Sequence, residues 1–174
     1  MNLHRLCLLI LLVVVPDSRS GTTNQFAIYL IDEPVDRRLI ASGQGDWSGV
    51  RLAASPVISQ EDLVRYDATH HTVRLKPGVL DRIPKLPGTG VPFVVVAGGE
   101  RIYMGAFMTI YSSASVAVPV ILVDRPMFGA NQPPDTLIIE RAYPSSIIGV
   151  GSDPRADPRL TTALKTLGKL ESSE

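Results

Sequence analysis

His70 and His71 are the only imidazoles of the chain once residues 1–20 are set aside. Neighbouring residues on a strand point to opposite faces, so this pair is badly placed to chelate one ion. No further histidine or cysteine lies beyond residue 20 to complete a zinc site. The expected arrangement is one imidazole at the surface and the other packed at the start of a strand. Asp32, Glu33 and Asp36 cluster where carboxylates could hold calcium. The spacing of a calcium loop is absent and Arg37-Arg38 follow at once, so a solvated loop is expected. Gly43-Gln44-Gly45-Asp46-Trp47-Ser48-Gly49 has the composition of a phosphate-cradling loop. Its third glycine comes one place late for a dinucleotide fingerprint, and no Lys-Ser/Thr follows. Ser48 does not sit in a nucleophile elbow, and no activating base is marked for any serine. No catalytic, cofactor-binding or metal-binding residue is therefore assigned. The candidate contact residues are Trp47, since tryptophan is enriched at binding hot spots, and Tyr111, Ser112 and Ser113, a hydroxyl-rich stretch able to hydrogen-bond a ligand or a peptide backbone. Tyr103, Phe107 and Tyr111 recur every fourth residue, but in a strand context that points to the core.

The elements that would position these groups are short. Phe26–Ile31 has the aromatic and β-branched content of a first strand and stops at Asp32-Glu33-Pro34. Residues 32–49 form an irregular connection, and Val50–Ala53 a second short strand. Ser59-Gln60-Glu61-Asp62 has the residues of a helix start, with Ser59 as cap and Asp62 at the reciprocal position. A short helix is expected from there to about Tyr66, and a second from Pro77 to Ile83. Between them His71–Leu75 alternates as a strand. Phe93–Ala97, Gly98-Gly99 and Arg101–Phe107 form the clearest local signal, a β-hairpin around a two-residue turn. Val116–Val123 is a strand with Pro119 marking an edge or a bulge. Residues 124–136 form a proline-rich loop, and Leu137–Glu140 is a last strand. The expected fold class is α+β: a small mixed or antiparallel sheet with a central hairpin and two short helices packed on one face.

The first residues look like an export signal. Arg5 precedes the apolar run Leu6–Val15, and Ser18-Arg19-Ser20 sets small residues before a cut expected between Ser20 and Gly21. The alternative is an uncleaved anchor. A helical run this short covers about half of a ~30 Å hydrocarbon core. Cys7 lies near the beginning of that run, which argues against lipidation. Domain organisation follows: signal peptide 1–20, one domain over 21–148, and a polar tail or short amphipathic helix over 149–174. Residues 21–174 keep 15 basic and 16 acidic side chains, without a basic run. A nucleic-acid partner is not expected. Neither is an anionic membrane surface, and no second apolar run could span a bilayer. The only cysteine is Cys7, so removal of the signal leaves no disulfide and no thiol chemistry.

From Pro56 to about Val123 the order of features resembles the head part of the first extracytoplasmic domain of the bacterial export subunit SecD, as also found in small exported proteins. The residues that carry the resemblance are Pro56-Val57-Ile58-Ser59, Asp62-Leu63, Val73-Arg74-Leu75, Pro92–Val96, Gly99–Phe107, Ser112-Ser113 and Pro119-Val120-Ile121. They cover less than half of the chain and describe a fold more than a site. The resemblance implies an α+β domain, a bacterial source and contact with extended polypeptide. It carries no catalytic residue. The functional expectation is an exported, non-catalytic domain, periplasmic or extracellular, that binds a protein or peptide, through an exposed sheet edge among other routes. A structural or accessory envelope protein is the alternative, and a small hydrolase with an unrecognised site the third reading.

Overall fold

Gly98 and Gly99 take φ values of 59° and 83°. Two successive positive φ angles match a two-residue turn to the twist of its flanking strands. The hairpin they close is the longest in the molecule, with β5 at Val91–Ala97 and β6 at Glu100–Met108. Pairing passes from Val95↔Tyr103 to Val96↔Arg101, so Ile102 is an extra, bulged residue that adds twist. This computed structural model describes residues 25–124, 133 and 135–171. The expected signal segment lies outside the described residues, as does most of the expected 124–136 loop.

The other strands are β1 (Phe26–Leu30), β2 (Ile58–Ser59), β3 (Leu63–Asp67), β4 (Thr72–Leu75), β7 (Val120–Leu122) and β8 (Thr136–Glu140). They join the hairpin in one sheet of order β2-β1-β5-β6-β7-β8-β4-β3. Among the strands of the described residues, β6 and β7 alone pair in parallel. Pro119 sits just before β7, where its missing N–H costs no ladder bond and its carbonyl still accepts from Ala106 N at 2.9 Å. The sheet curls almost into a barrel. Its two edge strands, β2 and β3, are consecutive in sequence and joined by Gln60–Asp62.

The expected α+β class with two helices on one face is thus overturned. The described residues form mostly sheet, and the two short α-helices among them lie elsewhere. At Ser59 the capping chemistry is present, since its N and Oγ both donate to Asp62 Oδ2 at 2.7 Å. They close a turn at the seam, and the chain leaves it extended as β3. Arg82 fixes the same carboxylate at 2.6 Å. It comes from a single 3₁₀ turn, Leu80–Arg82, which is all that forms of the expected second helix. Prolines at 77, 84 and 87 leave no room for more. Of Val50–Ala53, only an isolated bridge from Leu52 to Ile31 forms.

The helices present are α1 (Arg37–Ser42), inside the expected irregular stretch, and α2 (Pro158–Thr166), in the C-terminal segment expected as tail or helix. Asp36 caps α1 through Arg38 N, and Gly43 ends it at φ 65°. Asp157 caps α2, which carries Pro158 in its first turn. Leu160, Ala163 and Leu164 of α2 form one apolar stripe and enter the interior of the curled sheet. The helix packs on β1 and β5. Leu167 and Leu170 continue the stripe to β3, so α2 and the residues after it span the seam.

Inside the sheet lie Phe26, Ile28, Leu63, Tyr66, Val73, Phe93, Phe107, Ile121, Leu137 and Ile139. A second apolar layer covers the outside of β6 and β7. There Met104, Ala106, Met108, Val120 and Leu122 pack beneath Ile40 of α1 and Val116 and Val118. Strands buried on both faces read as unbroken apolar runs, which explains Phe93–Ala97 and Val120–Leu122. The outer face of β3, β4 and β8 carries no such layer among the described residues.

Gly105 is the tightest point inside. A Cβ there would lie 2.5 Å from Phe93 Cζ and 2.6 Å from Pro119 O. The space a side chain would need is taken by the Phe93 ring, which packs on Phe107 at 4.7 Å between centroids. Overpacking a close-fitted core costs about 1–3 kcal/mol. Gly105→Ala is expected to lower unfolding free energy by about that much in a urea titration, with the urea dependence unchanged. An equal or higher midpoint would show that the ring and Pro119 yield freely.

Candidate functional site

Three places among the described residues offer binding or chemical groups: two clusters of side chains and one strand edge. The first is the outer face of β3, β4 and β8. Side chains in strands alternate between faces. Val73 and Leu75 of β4 and Leu137 and Ile139 of β8 point into the core, so Thr72, Arg74, Thr136 and Ile138 face outward. Pairing sets Arg65 against Arg74, and Arg74 against Thr136. The next row is Asp67, Thr72 and Ile138. These six residues floor a cleft of about 530 Å³, bordered by His70, Pro133 and Glu171. Asp67 is occupied already: it accepts from Thr69 N at 2.7 Å and lies 2.6 Å from His70 Nδ1. That His70 contact, followed by bonds from the loop amides, holds its carboxyl below the usual range.

The second place is a buried polar cluster within the sheet. Tyr66 Oη lies 3.1 Å from His71 Nδ1, with the two rings edge to face. Arg155 grips the Asp153 carboxylate through Nε at 2.9 Å and Nη2 at 2.6 Å, and Nη1 donates to Ile139 O at 2.6 Å. The Asp153 carboxyl is held low, chiefly by those Arg155 bonds. Burial raises the phenols of Tyr66 and Tyr103. Tyr103 Oη is buried without a hydrogen-bond partner among the described residues. For His71, burial first and the Arg155 charge second depress the pKa, against weaker opposing pulls from Asp153 and Asp67. The cluster holds a phenol–imidazole contact beside a guanidinium–carboxylate fork. Both tyrosines are almost wholly buried and remain protonated near neutrality. A general base must reach the proton it removes, and these phenols are shut away from solvent. The visible task of the Arg155–Asp153 fork is to tie the 153–156 turn to β8, where Arg155 Nη1 donates to Ile139 O.

The third place is the free side of β3. Tyr66 N donates to Lys169 O, and Glu171 N to Tyr66 O, both at 2.8 Å. The chain's own residues 169–171 thus lie parallel to β3 as a short added strand. The left-handed Gly168, at φ 65°, turns the chain out of α2 toward it.

The residues singled out from sequence do not assemble. Trp47 is half-buried against the outer apolar layer, on the α1 side. Tyr111 is 75 % exposed, whereas Ser112 is buried, with Oγ donating to Gly88 O at 2.6 Å and accepting from Ala114 N. Ser113 faces solvent. Ser112 ties two loops together. Of the acidic trio, Asp36 caps α1, Glu33 accepts from Arg51 N at 2.9 Å, and Asp32 lies 3.6 Å from Arg51 Nε. No cluster of possible metal ligands occurs among the described residues. His70 is exposed, and His71 is half-buried in the left-handed region at φ 51°. Sequence reasoning passed over Arg65, Arg74 and Thr136. The alternation of Thr72-Val73-Arg74-Leu75 marks a polar face, but placing Arg65 and Thr136 beside it needs the pairing register.

Compared with protein-family models, curated proteins and solved structures, the chain matches none. No helix among the described residues is long and apolar enough to cross a membrane.

The depressed His71 pKa has a definite sign. The unfolded chain takes up its proton first, as pH falls through about 6.5. Stability from this group is therefore complete above that pH and declines below it, until the folded value is reached. Asp153 acts in a separate, lower window, since a depressed carboxyl gives stability that is lost as pH falls through its folded pKa. His71→Asn keeps a residue that tolerates the left-handed backbone and removes the titration. Urea midpoints between about pH 7.5 and about pH 5.5 should fall less steeply in the variant than in the parent. Parallel slopes would remove His71 from the account of acid sensitivity.

Proposed function

We propose that this chain is an exported, non-catalytic binding domain that holds an extended segment of protein at the seam of its curled sheet. The observation that carries the reading is the occupied edge of β3. Residues 169–171 pair there through two backbone bonds of 2.8 Å. An edge that accepts one short extended segment has the donors and acceptors to accept another, because backbone pairing is largely indifferent to side chain. Among the described residues the self-pairing comprises two backbone bonds, and a partner strand that runs along all of β3 would form more ladder bonds than these. Export rests on the order of charge, apolar run and small residues over 1–20, and the non-catalytic reading on the burial of the Tyr66 and Tyr103 phenols.

Glu171→Pro tests this directly. Proline supplies no N–H, so the bond from residue 171 to Tyr66 O is lost and the tail is loosened. The variant is expected to bind a permanently unfolded polypeptide (reduced, carboxymethylated serum albumin) at least about threefold more tightly than the parent, by fluorescence anisotropy. Amide exchange at Tyr66 should quicken without added polypeptide and slow when it is present. Undetectable binding by both chains, or equal binding with Tyr66 exchange unmoved by the polypeptide, would sink strand addition at this edge.

A further inference from the structure

We infer that the outer cleft of β3, β4 and β8 is a binding site for a small organic molecule bearing a tetrahedral oxyanion, a phosphate or sulfate ester. The argument begins with a cost. Arg65 and Arg74 stand directly opposite one another on antiparallel strands, and like charges in that relation are destabilising. A protein surface relieves such a pair with a carboxylate. Here neither guanidinium has a hydrogen bond or ion pair with a described residue, although most other arginines of the fold do. Asp67 is the one acid among the six floor residues, and it is committed to His70 and to the loop amides. Glu171 stands at the border without pairing to either arginine.

Thr136 extends the row. Paired to Arg74 across β4 and β8, it is 4 % exposed, and its Oγ1 is buried with no partner among the described residues. A buried hydroxyl without a partner carries a desolvation cost that a ligand or water would relieve. The row thus presents two guanidinium groups on adjacent strands, about 4.8 Å apart, with Thr136 of the third strand in the lining of the cleft. Guanidinium groups bind tetrahedral oxyanions through paired N–H donors, and two side by side can share one such group. The cleft exceeds the size of a bare ion and, at about 530 Å³, falls in the range of small-molecule sites. Ile138, Pro133 and the arginine stems supply an apolar wall for an organic body. This site uses the outer face of the strands, and is independent of the edge reading above.

Titration of isotopically labelled, full-length protein with phenyl phosphate and phenyl sulfate, at constant ionic strength, tests the assignment. Phenyl phosphate should give saturable amide shifts centred on Thr72, Arg74, Thr136 and Ile138, and bind at least about fivefold more tightly than inorganic phosphate. The tighter of the two esters identifies the headgroup. Arg65→Gln and Arg74→Gln should each weaken binding about tenfold or more, and Arg74→Lys by an intermediate factor, because it keeps charge but loses the fork. In ligand-free buffer both glutamine variants should melt at or above the parent, since they relieve repulsion. Should Arg74→Gln fail to fold, Arg65→Gln on the outermost strand carries the test. Shifts spread over the whole surface, or undiminished affinity in Arg65→Gln, would overturn the site.

Discussion

A sheet that curls until its first and last strands face each other must deal with two rows of backbone N–H and C=O groups that have no ladder partner. In this chain the rows belong to β2 and β3. The solution determines where almost everything else goes. The Ser59–Asp62 turn joins the two edges covalently at one end, and Asp62 draws in three donors to hold it. Away from the turn the two edges do not pair, and α2 packs its apolar stripe into the interior against β1 and β5. The tail then gives β3 two backbone bonds it would otherwise lack. Shortening β2 to two residues limits the other edge. Packing and backbone satisfaction are therefore solved together by one C-terminal segment.

The interior shows the same economy of space. A curled sheet of this size is filled by side chains, not left as a channel. Where β6 passes beneath Phe93, only glycine fits. Toward the 153–156 turn the filling becomes polar, with Tyr66, Tyr103 and His71 beside the Arg155–Asp153 fork. A charged fork at such a place is stable because its hydrogen bonds are nearly complete, including one to a strand carbonyl. It fixes the approach of α2, which starts two residues after the 3₁₀ turn that bears Arg155.

How much of this was legible in the sequence depended on whether the signal was local. The Gly98-Gly99 hairpin, β4 and β8 were legible, because turn glycines and alternation act over a few residues. The error at Ser59–Tyr66 has a specific cause. Leu63 and Tyr66 are three residues apart and both buried. That spacing belongs to a helix; in a regular strand it would put them on opposite faces. The irregularity between Leu63 and Arg65 restores them to one face, so the strand carries a helical spacing behind a helical cap. Helix α1 was hidden for the opposite reason: six residues with one buried side chain leave little periodicity, though Asp36 and Gly43 were its start and stop signals. The cleft was illegible because Arg65, Arg74 and Thr136 are distant in sequence and meet only through register.

That dependence on register bears on what the two faces of β3, β4 and β8 can do. A slip of one residue would bury the arginines and expose Val73 and Leu137. The apolar face therefore enforces the position of the donor row, and the arginine pair inherits its geometry from the core. Its mutual repulsion is tolerated because burial of Leu63, Tyr66, Val73, Leu75, Leu137 and Ile139 outweighs it: a fully buried side chain of this kind contributes about 1.5–3 kcal/mol, against at most about 1 kcal/mol for a cross-strand pair. The tail links the edge to this face. Residue 171 both donates to Tyr66 O and borders the cleft. A strand that displaced the tail would carry the Glu171 carboxylate away from Arg65 and Arg74, making the cleft more positive. Occupancy of the edge and of the cleft would then favour one another, and by linkage the effect must be equal in both directions.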